Sequence, residues 1–152
     1  MAFFLYASFP NSRVKPRPAT SVATTYHTIA GLIGAPLVLA ASKSLNRTYV
    51  MLKNLSDTIQ LFYLYATTSP IDPSVVPTNG LTEELLYNSV SNTLYQKQDD
   101  GVTTNWVVVL PQNISEVVDP GETASLESPQ DVYVLSNSGA TNVTVGVDLG
   151  LG

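Results

Sequence analysis

The chain has no cysteine. That excludes disulfides, thiolate nucleophiles and cysteine-ligated zinc. It has one histidine, His27, with no carboxylate within twenty residues on either side. A catalytic triad needs a base beside its nucleophile and orienting acid, and a histidine-ligated metal needs several convergent ligands. His27 therefore reads as a surface or interface residue. Charge is scarce: Asp, Glu, Lys and Arg make up 12% of the chain, about half the usual share. A disordered tail carries high charge and few aromatics, so the composition points to an ordered chain with a neutral polar exterior. No glycine-rich phosphate loop is present, because Gly31 to Gly34 is not followed by Lys-Ser/Thr. Long apolar runs are lacking too. The longest, Ile29 to Ala41, has thirteen residues, short of the roughly 20 that span a bilayer. It loosely mimics a secretory leader, but the long, proline-rich and apolar stretch before it is atypical of one. A buried strand, or an arm packed on a partner, is the expectation, with no membrane partner.

What is present is a length of 152 residues, enough for one domain plus an arm. Such a chain buries roughly two thirds of its unfolded surface. Its charges are unevenly placed. Arg13, Lys15, Arg17, Lys43, Arg47 and Lys53 precede every acidic residue, and from Asp57 onward Lys97 is the only cation. A basic front and an acidic body suit a front that lies on the body of a neighbouring subunit. Arg13, Lys15 and Arg17 are too few for a nucleic-acid stripe on a chain of net charge −5. Nucleic acid is accordingly not an expected partner.

The chain divides near residue 45. Residues 1–45 contain Pro10, Pro16, Pro18 and Pro36 and no clean period. Proline fixes φ and removes a donor, so an extended arm is expected there. Phe3, Phe4, Leu5, Tyr6 and Phe9 are its candidate apolar anchors, and with Arg13, Lys15 and Arg17 they form the candidate partner-contact set. Residues 46–152 read as β. Tyr49 to Asn54 and Ile59 to Ala66, separated by Leu55 to Thr58, read as a hairpin. Thr67 to Gly80 reads as a long loop, and Thr82 as the N-cap of one helical turn carrying Glu83 and Glu84. Val90 to Lys97 and Thr104 to Leu110 flank an Asp99-Asp100-Gly101 turn. Ile114 to Val118, Thr123 to Leu126, Asp131 to Leu135 and Thr141 to Asp148 complete the set. Asp119-Pro120-Gly121-Glu122 has the residues of a type II turn, and Ser136 to Gly139 is a further turn. In the last strand Val143, Val145 and Val147 alternate with polar or small residues, one face in and one out. Short strands with turns about every ten residues imply an all-β fold, an antiparallel β-sandwich or jelly roll.

Chemistry-bearing patterns are sparse. Glu83-Glu84 and Asp99-Asp100 are paired carboxylates, but adjacent strand residues face opposite ways, which argues against one shared cleft. Asp99, Asp100 and Asp119 lack the spacing of a calcium loop. Four Asn-x-Ser/Thr sequons, at Asn46, Asn54, Asn113 and Asn142, are expected by chance in so Asn-, Ser- and Thr-rich a chain. No catalytic residue, metal or cofactor is expected. Trp106, Tyr63, Tyr65 and Tyr87 are available as a sugar-stacking platform, but aromatics in strands are more often core or cross-strand pairs.

Two stretches carry a resemblance. One is Asn46-Arg47-Thr48-Tyr49-Val50-Met51-Leu52-Lys53-Asn54-Leu55-Ser56 with the aromatic run Ile59 to Tyr65. The other runs from Val118-Asp119-Pro120-Gly121-Glu122 to Asp131-Val132-Tyr133-Val134. Together they resemble small structural proteins of tailed bacteriophages, in which a strand and turn of the first kind pairs with a later strand of the second. Asn46, Arg47, Asn54, Ser56, Pro120, Gly121 and Tyr133 are the candidate structural motif. Arg47 is placed to pair with a backbone carbonyl or an acid of a neighbouring strand. The chain departs from the pattern where Tyr65-Ala66-Thr67 continues into a proline-rich loop instead of ending in glycine. The resemblance implies a non-enzymatic capsid decoration (cement) protein of jelly-roll or sandwich type. Such a protein sits on the outer capsid surface of the virion, is made in the host bacterial cytoplasm, binds the major capsid protein and self-associates as a homodimer or homotrimer. The alternative is a head-fibre, tail-spike or carbohydrate-binding sandwich module.

Overall fold

A computed structural model describes residues 20–21, 25–29, 37–99, 101–136 and 143–151. The chain forms two β-sheets packed on a shared core, an all-β sandwich as expected. In chain order the strands are β1 (Thr20–Ser21), β2 (Thr25–Ile29), β3 (Val38–Ala41), β4 (Arg47–Asn54), β5 (Leu61–Ser69), β6 (Leu85–Asn88), β7 (Thr93–Lys97) and β8 (Trp106–Val108). A single helical turn, α1 (Pro111–Ile114), is followed by β9 (Glu116–Val118), β10 (Thr123–Leu126), β11 (Asp131–Ser136) and β12 (Val143–Leu151). Sheet one runs β3-β11-β5-β6-β7-β8, with β9 also on β5; sheet two runs β10-β4-β12-β1, with β2 also on β12.

The core between the sheets follows from strand alternation. Val50 and Leu52 of β4, Val145 and Val147 of β12, Leu61 of β5 and Val132 and Val134 of β11 are all essentially inaccessible. The intervening residues of β5 and β11 face the opposite side. There Leu64, Ala66 and Tyr133 join Tyr87 and Leu94 in a second cluster, closed over by Leu37, Val109 and Ile114. Sheet one is thus apolar on both faces at its centre, which explains why β5 and β11 read as near-continuous apolar runs. A third cluster, Leu86, Tyr95 and Trp106, lies on the β6-β7-β8 wing.

Five expectations are corrected. First, β4 and β5 do not pair as a hairpin: β4 belongs to sheet two and β5 to sheet one. The intervening turn is a corner between sheets, because the Asn54 side chain bonds across it. Second, β5 and β6 pair in parallel, Thr67 opposite Leu86. A parallel pair needs a long crossover, and the chain between Ser69 and Leu85 supplies it. Third, Thr82 to Leu85 is a turn leading into β6 and not a helix. Glu83 takes a left-handed φ of 72°, which no helical residue adopts. Fourth, β1 and β2 pair with β12, and β3 pairs with β11. The described strands before position 45 therefore belong to the sheets. What remains of the expected arm, residues 1–19, lies outside the described residues. Fifth, the strand expected from Ile114 to Val118 begins only at Glu116, because Ile114 belongs to α1, and Pro111 at its first turn fits such a start.

Candidate functional site

The two stretches that carry the resemblance meet as one hydrogen-bonded unit. β4 pairs with β10, Lys53 opposite Thr123 and Val50 opposite Leu126. The later Val-Tyr-Val strand, β11, pairs instead with β5 and β3. Arg47 opens β4 and is buried, and its guanidinium donates to the carbonyls of Ser42, Ser128 and Gln130, the last at 2.6 Å. Arg47 thus meets backbone carbonyls, one of the two kinds of partner expected, but those of connections and not of a neighbouring strand, and it ties the β3–β4 corner to the β10–β11 connection. Burial holds its pKa below the ordinary value, against the opposing pull of Asp131 and Tyr65.

Asn54 ends β4 and is also buried. Its Nδ2 donates to Ile59 O at 2.8 Å and to Val118 O at 2.9 Å, while Oδ1 accepts from Ser56 N. Ser56 Oγ accepts from Ile59 N at 2.9 Å. The Pro120-Gly121 turn closes on the same residue: Gly121 N donates to Asn54 O at 3.0 Å, and Glu122 N donates to Asp119 O. Gly121 has φ 76°, the left-handed value that a type II turn requires at that position. Asn46 is exposed in the turn before β4. So buried a side chain as Asn54 does not present a glycan acceptor, whatever its sequon.

Tyr133 lies in the second cluster, its ring 4.9 Å from that of Tyr87. Its hydroxyl bonds Thr68 Oγ1, which also reaches Asp131 Oδ2 at 2.5 Å. Burial, Asp131 and Tyr87 raise the Tyr133 pKa, and the Thr68 bond works against them. Tyr87 and Trp106 are buried in their clusters, while Tyr63 and Tyr65 pack partly on the inter-sheet core. The stacking platform is therefore not formed as a set.

Two cavities lie beside the β5–β6 crossover, and both take Glu84 as a wall. The smaller, about 270 Å³, is a notch at the edge of β5 between β9 and β6, lined among others by Tyr63, Tyr65, Glu83, Glu84 and Glu116. Tyr63 and Tyr65 meet edge-on at 6.3 Å. Burial raises both phenols, with Glu116 adding to each. Glu83 and Glu84 thus share a cleft, contrary to the strand-alternation argument, because Glu83 sits in a left-handed turn instead of a strand. Among the described residues, no group of acidic or imidazole side chains is arranged to hold a metal ion.

The larger cavity, about 510 Å³, is lined by Asn79, Gly80, Leu81, Glu84, Lys97 and Thr103. Lys97 ends β7 opposite Trp106 of β8. Its backbone is tied on the other edge, where Glu83 N donates to Lys97 O at 2.8 Å and Lys97 N donates to Glu84 O at 2.9 Å. The side chain lies on the same face of β7 as Tyr95, beneath the crossover loop, and is only 1% exposed. Its Nζ has no hydrogen-bond partner among the described residues. Nearby, Trp106 Nε1 donates to Thr78 O at 3.1 Å, and Gly80 lies so close to the indole that a Cβ there would stand 2.6 Å from Trp106 Cζ2. Glu84 Oε1 accepts from Leu81 N at 2.9 Å and braces the rim.

The sequence did not single out Lys97 as a site. Its signals were its place as the last cation and its parity with Tyr95 on the buried face. The candidate contact residues Phe3, Phe4, Tyr6, Phe9, Arg13, Lys15 and Arg17 lie outside the described residues, and His27 is described only by its backbone, opposite Val145. No protein-family model, curated protein or solved structure matches the chain.

Proposed function

We propose that this protein is a non-enzymatic structural component of a tailed-bacteriophage virion, binding and stabilising the capsid lattice as a decoration protein. The observation that carries this reading is the clamp. The two stretches that resemble such proteins, far apart in the chain, are joined through Arg47, Asn54 and the Pro120-Gly121 turn into one hydrogen-bonded unit. Charge supports the mode of binding. From Asp57 onward the only cation is Lys97, and it is buried, so this part of the surface offers carboxylates alone as its charged groups. Arg13, Lys15 and Arg17 of a neighbouring copy complement that surface.

Stabilisation then works by linkage. A domain that binds the assembled lattice, and not its free subunits, favours the lattice by mass action, and many copies on one shell act together. The expected result is that the protein co-sediments with assembled shells, leaves unassembled major capsid protein in the supernatant, and raises the temperature at which shells release their contents. Equal binding to free subunits and shells contradicts the reading.

A second reading rests on the notch with Glu83, Glu84 and Glu116. Two carboxylates flanking a sugar suit glycoside hydrolysis. Turnover of chromogenic glycosides by the full chain, abolished in Glu116→Gln, would favour it over the first.

A further inference from the structure

We propose that the cavity over Lys97 is a binding site for a hydroxylated carboxylate, the chemistry of a sugar acid. An ammonium that is 1% exposed and without a partner is an unfavourable arrangement. Here Lys97 is one of the residues lining a cavity of about 510 Å³, with Nζ itself buried, within the size range of small-ligand sites. Its complement is an anionic acceptor, since charge-assisted bonds to carboxylate are the strongest a lysine makes. Four flexible carbons allow Nζ to meet a ligand at the cavity wall.

The remaining lining says what else the ligand carries. Glu84 commits Oε1 to Leu81 N, and its second oxygen is an acceptor that a simple anion would leave unmatched and repelled. A hydroxyl beside the ligand carboxylate satisfies it. Asn79 and Thr103 add neutral donors and acceptors, and Leu81 an apolar wall. A ligand with one carboxylate and several hydroxyls matches the whole set, whereas a neutral sugar leaves Lys97 unpaired and acetate leaves Glu84, Asn79 and Thr103 unused. The backbone is also fitted to the task. Glu83 is held in its left-handed conformation by the bond from its N–H to Lys97 O. That turn places Glu84 and Lys97 on the same cavity. The inference is independent of the capsid reading, because it concerns a small-molecule site on the β6-β7-β8 wing.

The chain contains one tryptophan, Trp106, packed against Gly80 of the cavity rim, so its fluorescence reports occupancy. Glucuronate, glucose and acetate are titrated against the full-length protein. Glucuronate is expected to bind at least about ten-fold more tightly than glucose or acetate. In Lys97→Met the advantage of glucuronate over glucose disappears, while thermal melting shows the fold intact. Thr103→Val, at the exposed rim, weakens glucuronate without affecting folding. Equal affinity for glucuronate and glucose, undiminished glucuronate binding in Lys97→Met, or no binding of glucuronate up to about 20 mM, a concentration that nearly saturates a site of about 1 mM affinity, overturns the assignment.

Discussion

Arg47 and Lys97 are both cations buried at strand ends, and they are held in opposite ways. Arg47 gives its guanidinium to three backbone carbonyls from two separate connections, with only Nε left over. Lys97 is more deeply buried and its ammonium has no hydrogen-bond partner among the described residues. A satisfied buried charge organises the fold around itself. An unsatisfied one weighs against the fold, and such departures concentrate where a protein binds something. The sandwich around β4, with Arg47 at one end of the strand and Asn54 at the other, is thus the scaffold, and the β6-β7-β8 wing is where the molecule departs from the rules of a stable core.

The sharpest way to break this comparison is to remove each side chain. Arg47→Met leaves three carbonyls without their donor and should destabilise the protein by about 3–5 kcal/mol, read as a shift of the urea midpoint. Asn54→Ala removes two donors and one acceptor from the sheet corner and should cost about 2–3 kcal/mol. Lys97→Met should go the other way in the absence of ligand, with stability unchanged or raised by up to about 2 kcal/mol, because an unpaired ammonium gives way to an apolar stem. A loss of stability like that of Arg47→Met would mean that Lys97 is a structural clamp after all.

A smaller effect is read by pH and is shared by both regions. Tyr63, Tyr65, Tyr95 and Tyr133 all have raised pKa values, with burial the largest cause in each. A raised phenol stays protonated in the folded state after it has ionised in the unfolded state. The folded state then binds more protons, and stability falls as pH rises. The contribution is whole below about pH 10, the unfolded phenol value, and is lost as pH climbs through the raised folded values. Tyr133→Phe should flatten this alkaline loss in a series of melts between neutral pH and about pH 11, and an unchanged slope would remove Tyr133 from it.

Much of the fold was legible in the sequence. The alternation of the last strand places Val145 and Val147 inside, and β10 occupies Thr123–Leu126 as its turn signals imply. Arg47 was legible as a carbonyl partner because it opens a strand beside a corner. Pairing was less legible. Periodicity says that Tyr49 to Asn54 and Ile59 to Ala66 are strands, but not that Asn54 bonds Val118 and turns their link into a corner between sheets. The cap at Thr82 failed because long-range bonds from Glu83 to β7 override a local helix preference. Burial of Lys97 depends on the Pro70 to Glu84 crossover folding over its face of β7, which no local pattern encodes.

The most direct measurement is co-sedimentation with purified capsid shells of the full chain and of a chain lacking residues 1–18. The account predicts that the shortened protein melts as a folded sandwich, because the described strands begin at Thr20, and stays in the supernatant while the full chain pellets with the shells. A shortened protein that pellets as well as the full chain would contradict the basic front as the binding element, and a full chain that never pellets would contradict the capsid reading itself.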